Sequence, residues 1–230
     1  MSAFTHKNLA IIPARSGSKR LPKKNTKNLN GKPLIKWTID LAKQVNEIDL
    51  TAITSDSSEI LTMASQENCI TIQRPDYLAS DTASTFDTLL HTIEHLANTG
   101  IYPENILLLQ PTSPLRSKED IENSLSLLDE KEADSIISVC PSDHPPFWSN
   151  TLKSDLSMDS FLENDIPNQS KKYYRLNGAI YLTKTSLLIK NKGFFMPNSF
   201  AYIMPQERSI DIDTSLDFEF CDFMLKRRQN

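Results

Sequence analysis

The sequence predicts an α/β fold: a doubly wound, mostly parallel sheet. Three observations carry this. Strand-like and helix-like patterns alternate from residue 9 to residue 140, which implies βαβ crossovers. The most apolar short run, Ile106-Leu107-Leu108-Leu109, reads as a strand buried on both faces at the sheet centre. The length, 230 residues, suits one large domain over the whole chain, 1–230.

Each element has its own signal. Residues 9–13 form an apolar strand that opens into a small, polar, cationic stretch, residues 14–20. Pro33 fits the first turn of a helix, with Leu34, Thr38, Leu41 and Val45 at helical spacing behind it. Ala52-Ile53-Thr54 is a strand, and Ser57 caps a helix over residues 59–66. Residues 69–73 are strand-like. Residues 84–96 are helical, with Phe86, Leu89, Leu90 and Ile93 on one side and Gly100 as the stop. After the central strand, two prolines stiffen the turn at residues 110–116. Ser117 caps the next helix, with Asp120 three residues on and Ile121, Leu125 and Leu128 as its stripe. Residues 135–139 form another strand. Residues 141–177, rich in Pro, Asp, Asn and Ser, are too long for an ordinary connection and read as an insertion. Such an insertion serves as an active-site cover or a dimerisation element. Alternation resumes at residues 179–182. Residues 201–204 form a short strand, and residues 216–226 a closing helix.

Composition narrows the function. No apolar run approaches the roughly 20 residues that span a bilayer, so no membrane role is expected. The first residues lack a signal peptide's apolar stretch, and three scattered cysteines, Cys69, Cys140 and Cys221, suit a reducing cytoplasm. The net charge of −4 argues against nucleic acid as a partner. Its distribution says more. Residues 1–39 hold nine basic residues and no acidic one; the rest carries 16 basic and 29 acidic residues, a balance of −13. A cationic segment on an acidic chain points to a small polyanionic ligand.

Ligands of open α/β sheets bind outside the carboxyl ends of the strands, and three polar groups fall there. The first is residues 15–25, where N–H groups around Ser16, Gly17 and Ser18 suit an anion and Lys19 and Lys24 suit phosphate oxygens. It contains neither GxxxxGK[ST] nor GxGxxG. The second is the turn with Gln110, Thr112, Ser113 and Arg116, which reads equally as a rigid turn plus helix cap. The third is Ser209-Ile210-Asp211-Ile212-Asp213-Thr214. Alternation puts Asp211 and Asp213 on one side, as a hard divalent cation requires, although Asp213 or Thr214 also suits a helix cap.

Together these segments resemble one family. Residues 11–25, Ile-Ile-Pro-Ala-Arg-Ser-Gly-Ser-Lys-Arg-Leu-Pro-Lys-Lys-Asn, closely resemble the opening motif of the CMP-sialic acid synthetases (acylneuraminate cytidylyltransferases). The likeness continues through Arg74-Pro75, Leu78-Ala79-Ser80-Asp81-Thr82-Ala83-Ser84, Leu109-Gln110-Pro111-Thr112-Ser113-Pro114-Leu115-Arg116, Asn177-Gly178-Ala179-Ile180-Tyr181 and residues 209–214. It implies a Rossmann-like nucleotidyltransferase. CTP and a nine-carbon 2-keto acid sugar would give the CMP-sugar and pyrophosphate with Mg²⁺ or Mn²⁺, in a cytoplasmic homodimer whose insertion reaches the partner's site.

By the same resemblance, Arg15, Lys24 and Asp211 are catalytic. Arg15, Ser16, Gly17, Lys19, Lys24, Asn25, Arg74 and Thr85 hold the nucleotide. Gln110, Thr112, Ser113, Gln169, Phe194 and Phe195 hold the sugar, and Asp211 and Asp213 the metal. His144-Pro145-Pro146-Phe147-Trp148 and Pro167-Asn168-Gln169 depart from the lysine and Arg-x-Gln patterns of the sialic-acid-specific members. Trp148 and Pro167 stand where basic sugar contacts are expected. This resembles the branch acting on di-N-acetylated sugars, and legionaminate is the expected acceptor rather than N-acetylneuraminate or pseudaminate. The Ser-Ile-Asp-Ile-Asp ending disfavours the eight-carbon acid KDO. A glycosyltransferase DxD normally lies mid-domain, not near the C-terminus.

Overall fold

The computed structural model describes residues 4–80, 82–158, 161–162 and 171–229. The chain runs β1 (His6–Pro13), a two-residue hairpin of β2 (Asn28–Leu29) and β3 (Lys32–Pro33), α1 (Leu34–Gln44), β4 (Leu50–Ser55), α2 (Ser58–Gln66) and β5 (Ile70–Gln73). It continues through α3 (Asp76–Ala79), α4 (Thr85–Ala97), β6 (Pro103–Leu108), α5 (Lys118–Glu130) and β7 (Ser135–Pro141). Last come β8 (Tyr174–Lys184), α6 (Thr185–Asn191), β9 (Ser199–Ile203) and α7 (Ser215–Gln229).

Seven strands form one sheet in the order β5-β4-β1-β6-β8-β7-β9. The apolar runs earn the centre. Leu9, Ala10, Ile11 and Ile12 of β1 are fully buried, and they alternate between two cores. Ala10 and Ile12 pack with Ile35 and Ile39 of α1, Ile60 of α2 and Ile121 and Leu128 of α5. Leu9 and Ile11 pack with Leu89, Ile93 and Leu96 of α4 and Leu188 of α6 on the opposite face. Helices on both faces of a sheet with six co-directed strands give the expected doubly wound, mostly parallel arrangement.

Ser57 and Ser117 cap where the sequence puts them, and Ser84, expected as the first helical residue, is a cap as well. Ser57, Ser84 and Ser117 each accept an N–H from the first turn of their helix. Ser117 and Asp120 make the full capping box, a device worth about 1 kcal/mol. Pro33 precedes α1 rather than starting it.

One strand departs from the alternation. β8 runs antiparallel to both β6 and β7. No α-helix lies among the described residues between β7 and β8, and without a crossover helix the chain returns in the opposite direction. β8 is also longer than expected, and β2, β3, α3 and α6 are too short to show a period in sequence. Between the pairs Ile137↔Tyr181 and Val139↔Leu176, β7 has one residue, Ser138, and β8 has four, residues 177–180. This bulge lies at the candidate site.

A third, smaller core joins the two ends of the chain. Leu21 and Leu29 pack with Leu115, Ile212 and, on α7, Phe218, Cys221 and Leu225. No helix among the described residues is long and apolar enough to cross a membrane.

Candidate active site

A cleft of about 310 Å³ opens at the carboxyl ends of β1, β5 and β6. Arg15, Lys24, Asn25, Arg74, Thr85, Gln110, Thr112, Asp211 and Asp213 all line it, so most of the residues singled out in sequence meet in one place.

The first loop is held from within. Ala14 N–H donates to Thr54 O at 3.0 Å, extending the β1–β4 ladder by one residue before Arg15 emerges. Asn25, 8% exposed, donates its amide to Arg15 O at 2.9 Å and fixes the loop's return. Ser16 N–H, expected to meet a phosphate, instead donates to Asp56 Oδ1 at 2.8 Å, and the Ser16 hydroxyl donates to Asp56 Oδ2. Burial alone would raise the Asp56 pKa; the Ser16 bonds and the nearby Arg74 charge outweigh it and lower the pKa. Ser16, Gly17 and Lys19 therefore lie outside the cleft wall. Ser16 lines a smaller recess of about 210 Å³ with Lys23 and Ser57.

Lys24 reaches across to the far end of the chain. Its Nζ donates to Ile212 O at 2.6 Å and stands 3.4 Å from Asp213 Oδ1. Arg20 Nη2 is 3.0 Å from Asp213 Oδ2. Thr214 and Asp217 cap α7: Asp217 Oδ2 accepts from Thr214 N and Oγ1 and from Asp213 N. The Asp213 carboxylate is thus spared from capping and faces the cations.

Asp211 lines the cleft and is exposed to solvent there. Burial raises its carboxyl pKa, the adjacent Thr112 hydroxyl pulls it down, and the Asp213 charge adds to the rise. Two contacts set its position. Ile212 N–H donates to Thr112 O at 2.8 Å, pinning the segment to the turn after β6. Asn177, 1% exposed, accepts from Ser138 Oγ at 2.6 Å and donates to Ser209 Oγ at 2.9 Å, tying the β8 bulge to the start of the segment. Gly178 in that bulge has φ +72, and an added Cβ would stand 3.5 Å from Asp211 Oδ2 and 3.8 Å from Gln110 Nε2. A glycine is required there by its backbone conformation more than by space.

Arg74, 5% exposed, donates to Thr54 O at 2.7 Å and Leu78 O at 3.4 Å, and burial lowers its pKa. Thr85 starts α4 at the cleft edge.

Several expected sugar contacts lie elsewhere. Ser113 is fully buried and is absent from the cleft wall. Phe194 is a core residue packed on Tyr181 at 5.2 Å, and Phe195 is 67% exposed; neither lines the cleft. An apolar pair cannot be assigned to a pocket from sequence when the core claims the same chemistry. Gln169 and Asp81 lie outside the described residues. Arg116 is buried and donates to Ala179 O and Thr38 Oγ1, a structural placement. Asp56, Ser80 and Thr88 were not singled out. For Asp56 the one available signal is a carboxylate directly after the β4 strand.

A family model described as cytidylyltransferase matches residues 9–219. The chain belongs to the cytidylyltransferase family. It is 33% identical over 226 residues to a CMP-N,N'-diacetyllegionaminic acid synthase of Legionella pneumophila, covering 96% of this chain and 97% of that one. It is 36% identical over 217 residues to an N-acylneuraminate cytidylyltransferase of Escherichia coli, spanning 92% of this chain but only 50% of that longer protein. A pseudaminic acid cytidylyltransferase of Campylobacter jejuni is 28% identical over 224 residues, covering 96% of this chain and 97% of that one. Among solved structures, a CMP:2-keto-3-deoxy-manno-octonic acid synthetase complexed with CTP superposes with a TM-score of 0.72 at 18% identity, covering 96% of this chain and 99% of that one. That likeness speaks for the fold. The cytidylyltransferase cleft therefore brings together cations from the first loop and two carboxylates from the segment before the last helix.

Proposed function

We propose that the cleft transfers the cytidylyl group of CTP to the anomeric hydroxyl of a nine-carbon 2-keto acid sugar. The sugar oxygen bonds to the α-phosphorus, the bond from that phosphorus to the bridging oxygen breaks, and pyrophosphate leaves. The observation that carries this reading is the meeting of Arg15 and Lys24 with Asp211 and Asp213 in one cleft. Arg15 and Lys24 supply positive charge where charge builds on the attacked and departing phosphates. Arg74, Asn25 and Thr85 position the nucleoside end, and Gln110 and Thr112 the sugar. Asp211, with its raised pKa, is suited to take the proton of the attacking hydroxyl.

Asp211 and Asp213 fit Mg²⁺ or Mn²⁺. No group of three or more acidic, His or Cys side chains among the described residues offers a closed site, whereas two carboxylates with phosphate oxygens to complete the shell suit such ions. A bound ion would neutralise phosphate charge and orient the triphosphate.

The acceptor is proposed to be of the N,N'-diacetyllegionaminate type. The full-length likeness to the Legionella protein supports this; Trp148, which stands where the resemblance expects a basic contact, is 51% exposed and does not line the cleft of its own chain, so its part in sugar choice rests on the proposed pairing of two copies. The higher identity to the E. coli protein supports N-acetylneuraminate as the second reading. Residues 141–177 are proposed to join two copies and cover the partner's cleft within a cytoplasmic homodimer built from one domain per chain. Leu152, Leu156, Met158 and Leu176 are about half exposed or more, and β9 leaves Ile203 exposed at the sheet edge, the surface such an interface needs.

Pyrophosphate release from CTP tests the reading, with a panel of legionaminic, neuraminic and pseudaminic acids and KDO. Turnover with a nine-carbon acid, fastest with the legionaminate type, is expected. Silence with every acceptor in the presence of Mg²⁺ and Mn²⁺ refutes the reaction.

A further inference from the structure

A second cavity, of about 210 Å³, lies between α1, the end of α7 and the turn after β6. It shares no lining residue with the cleft. Its charged walls are Lys32, Asp40, Arg116 and Arg228, a balance of two positive charges.

Arg116 makes this cavity unusual. It is 3% exposed, and burial lowers its pKa to about 10, so it stays charged at neutral pH. A buried cation needs a carboxylate or a full set of acceptors. Its guanidinium donates to one carbonyl and one hydroxyl, and its Nε has no partner. The nearest acid on that side, Asp120, is committed to Arg208 through two bonds at 2.9 and 2.8 Å. Arg228 donates to Leu115 O at 3.0 Å and has no carboxylate partner among the described residues. Asp40 is shared between Lys32 and Lys36. Asp120 acts on Arg116 and Arg228 only through its charge and bonds to neither, so the cavity walls keep an excess of positive charge, and Trp37 provides a flat apolar wall beside it, with Lys32 Nζ 4.0 Å from the ring centroid.

We propose that this cavity binds a small phosphate-bearing anion. Two guanidiniums match tetrahedral oxyanions by paired donors, which a halide cannot use, and a dianion balances the walls. The site stands independently of the nucleotide reading of the cleft. It rests on the turn that carries Gln110 and Thr112, so its occupant would sit directly behind the cleft wall.

The chain has two tryptophans, so Trp148→Phe leaves Trp37 as a reporter inside this cavity. Titrating inorganic pyrophosphate or phosphate, without divalent ion, should give a saturable change in Trp37 emission. Potassium chloride at matched ionic strength should give none. Adding Arg228→Gln should weaken the midpoint by about tenfold or more, as loss of a charge-assisted contact implies, while Arg228→Lys restores part of it. Far-UV circular dichroism verifies that each variant is folded. No saturable change, the same change with chloride, or a midpoint indifferent to Arg228→Gln overturns the proposal. A signal relayed from the cleft would be indifferent to Arg228→Gln, because Arg228 does not line the cleft.

Discussion

Replacing Arg208 by alanine removes the pair that anchors the carboxylate-bearing segment to α5. Asp120, fully buried, accepts from Arg208 Nε at 2.9 Å and Nη2 at 2.8 Å, and also from Ser117 N at 2.9 Å, Ser117 Oγ at 3.0 Å and Tyr202 OH at 3.2 Å. Removing one partner of a buried pair costs about 3 to 5 kcal/mol, because the remaining charge is stranded. Three donors remain for Asp120, and Arg208 is 30% exposed, so the low end applies, about 3 kcal/mol. For a domain of this size that lowers Tm by about 6 to 12 °C. Burial by itself would raise the Asp120 pKa, but the Arg208 and Ser117 bonds outweigh it and hold it low. A depressed carboxyl contributes its stability fully above its unfolded value, near pH 4, and loses it as pH falls through the folded value. The gap between wild type and Arg208→Ala, read by urea unfolding, should therefore be constant from neutral pH to about pH 5 and close in stronger acid. The double variant with Asp120→Asn should be more stable than the sum of the single losses. A loss below about 0.5 kcal/mol, or strict additivity, refutes the reasoning.

The cleft gives four further tests. Arg15→Ala should lower kcat by about 10²- to 10³-fold with an unchanged melting curve; turnover assays on folded protein decide it. Asp211→Asn should abolish activity or shift its dependence on Mg²⁺ to higher concentration, measured by metal titration at saturating CTP; an unchanged titration removes Asp211 from the metal site. Gly178→Ala, at φ +72, should cost about 1 kcal/mol in urea unfolding and raise KM for the sugar more than that for CTP. Trp148→Lys should move acceptor preference toward N-acetylneuraminate, measured as the ratio of kcat/KM values; an unaltered ratio means the insertion does not select the sugar.

The central layers were legible in sequence because their signals are local. An apolar run such as Leu9–Ile12 has one sensible destination, and Ser117 with Asp120 announces a helix start within four residues. The direction of β8 was not, because antiparallel return depends on what the preceding insertion does, and residues 141–177 carry no periodicity. The site was legible as a set of motifs but not as a set of contacts. Nothing local says that Ser16 N–H is taken by Asp56, 40 residues away, and although Thr214 with Asp217 repeats the local cap signal, the sequence leaves open whether Asp213 or Thr214 takes the cap. Phe194 shows the converse: a motif position can be absorbed by the core when the core needs the same apolar surface.

The two ends of the chain must meet for the cleft to exist, and the contacts between them explain why they stay together. Asp211 and Asp213 in a confined cleft repel each other, and Lys24 and Arg20 reduce that cost by pairing with Asp213. The apolar contacts of Leu21 and Leu29 with Ile212 and Phe218 hold the partners in register when the charges are exchanged. On the proposed reading, a triphosphate would draw Lys24 off Asp213 and a divalent cation would be held by the carboxylate, so each charge would exchange one partner for another. Entry of either ligand alone would weaken the pairing: the nucleotide would leave Asp213 with Arg20 alone, and the cation would leave Lys24 without its acid. Nucleotide and metal should therefore favour each other's binding through this one contact, a coupling written into the distance between residues 24 and 213.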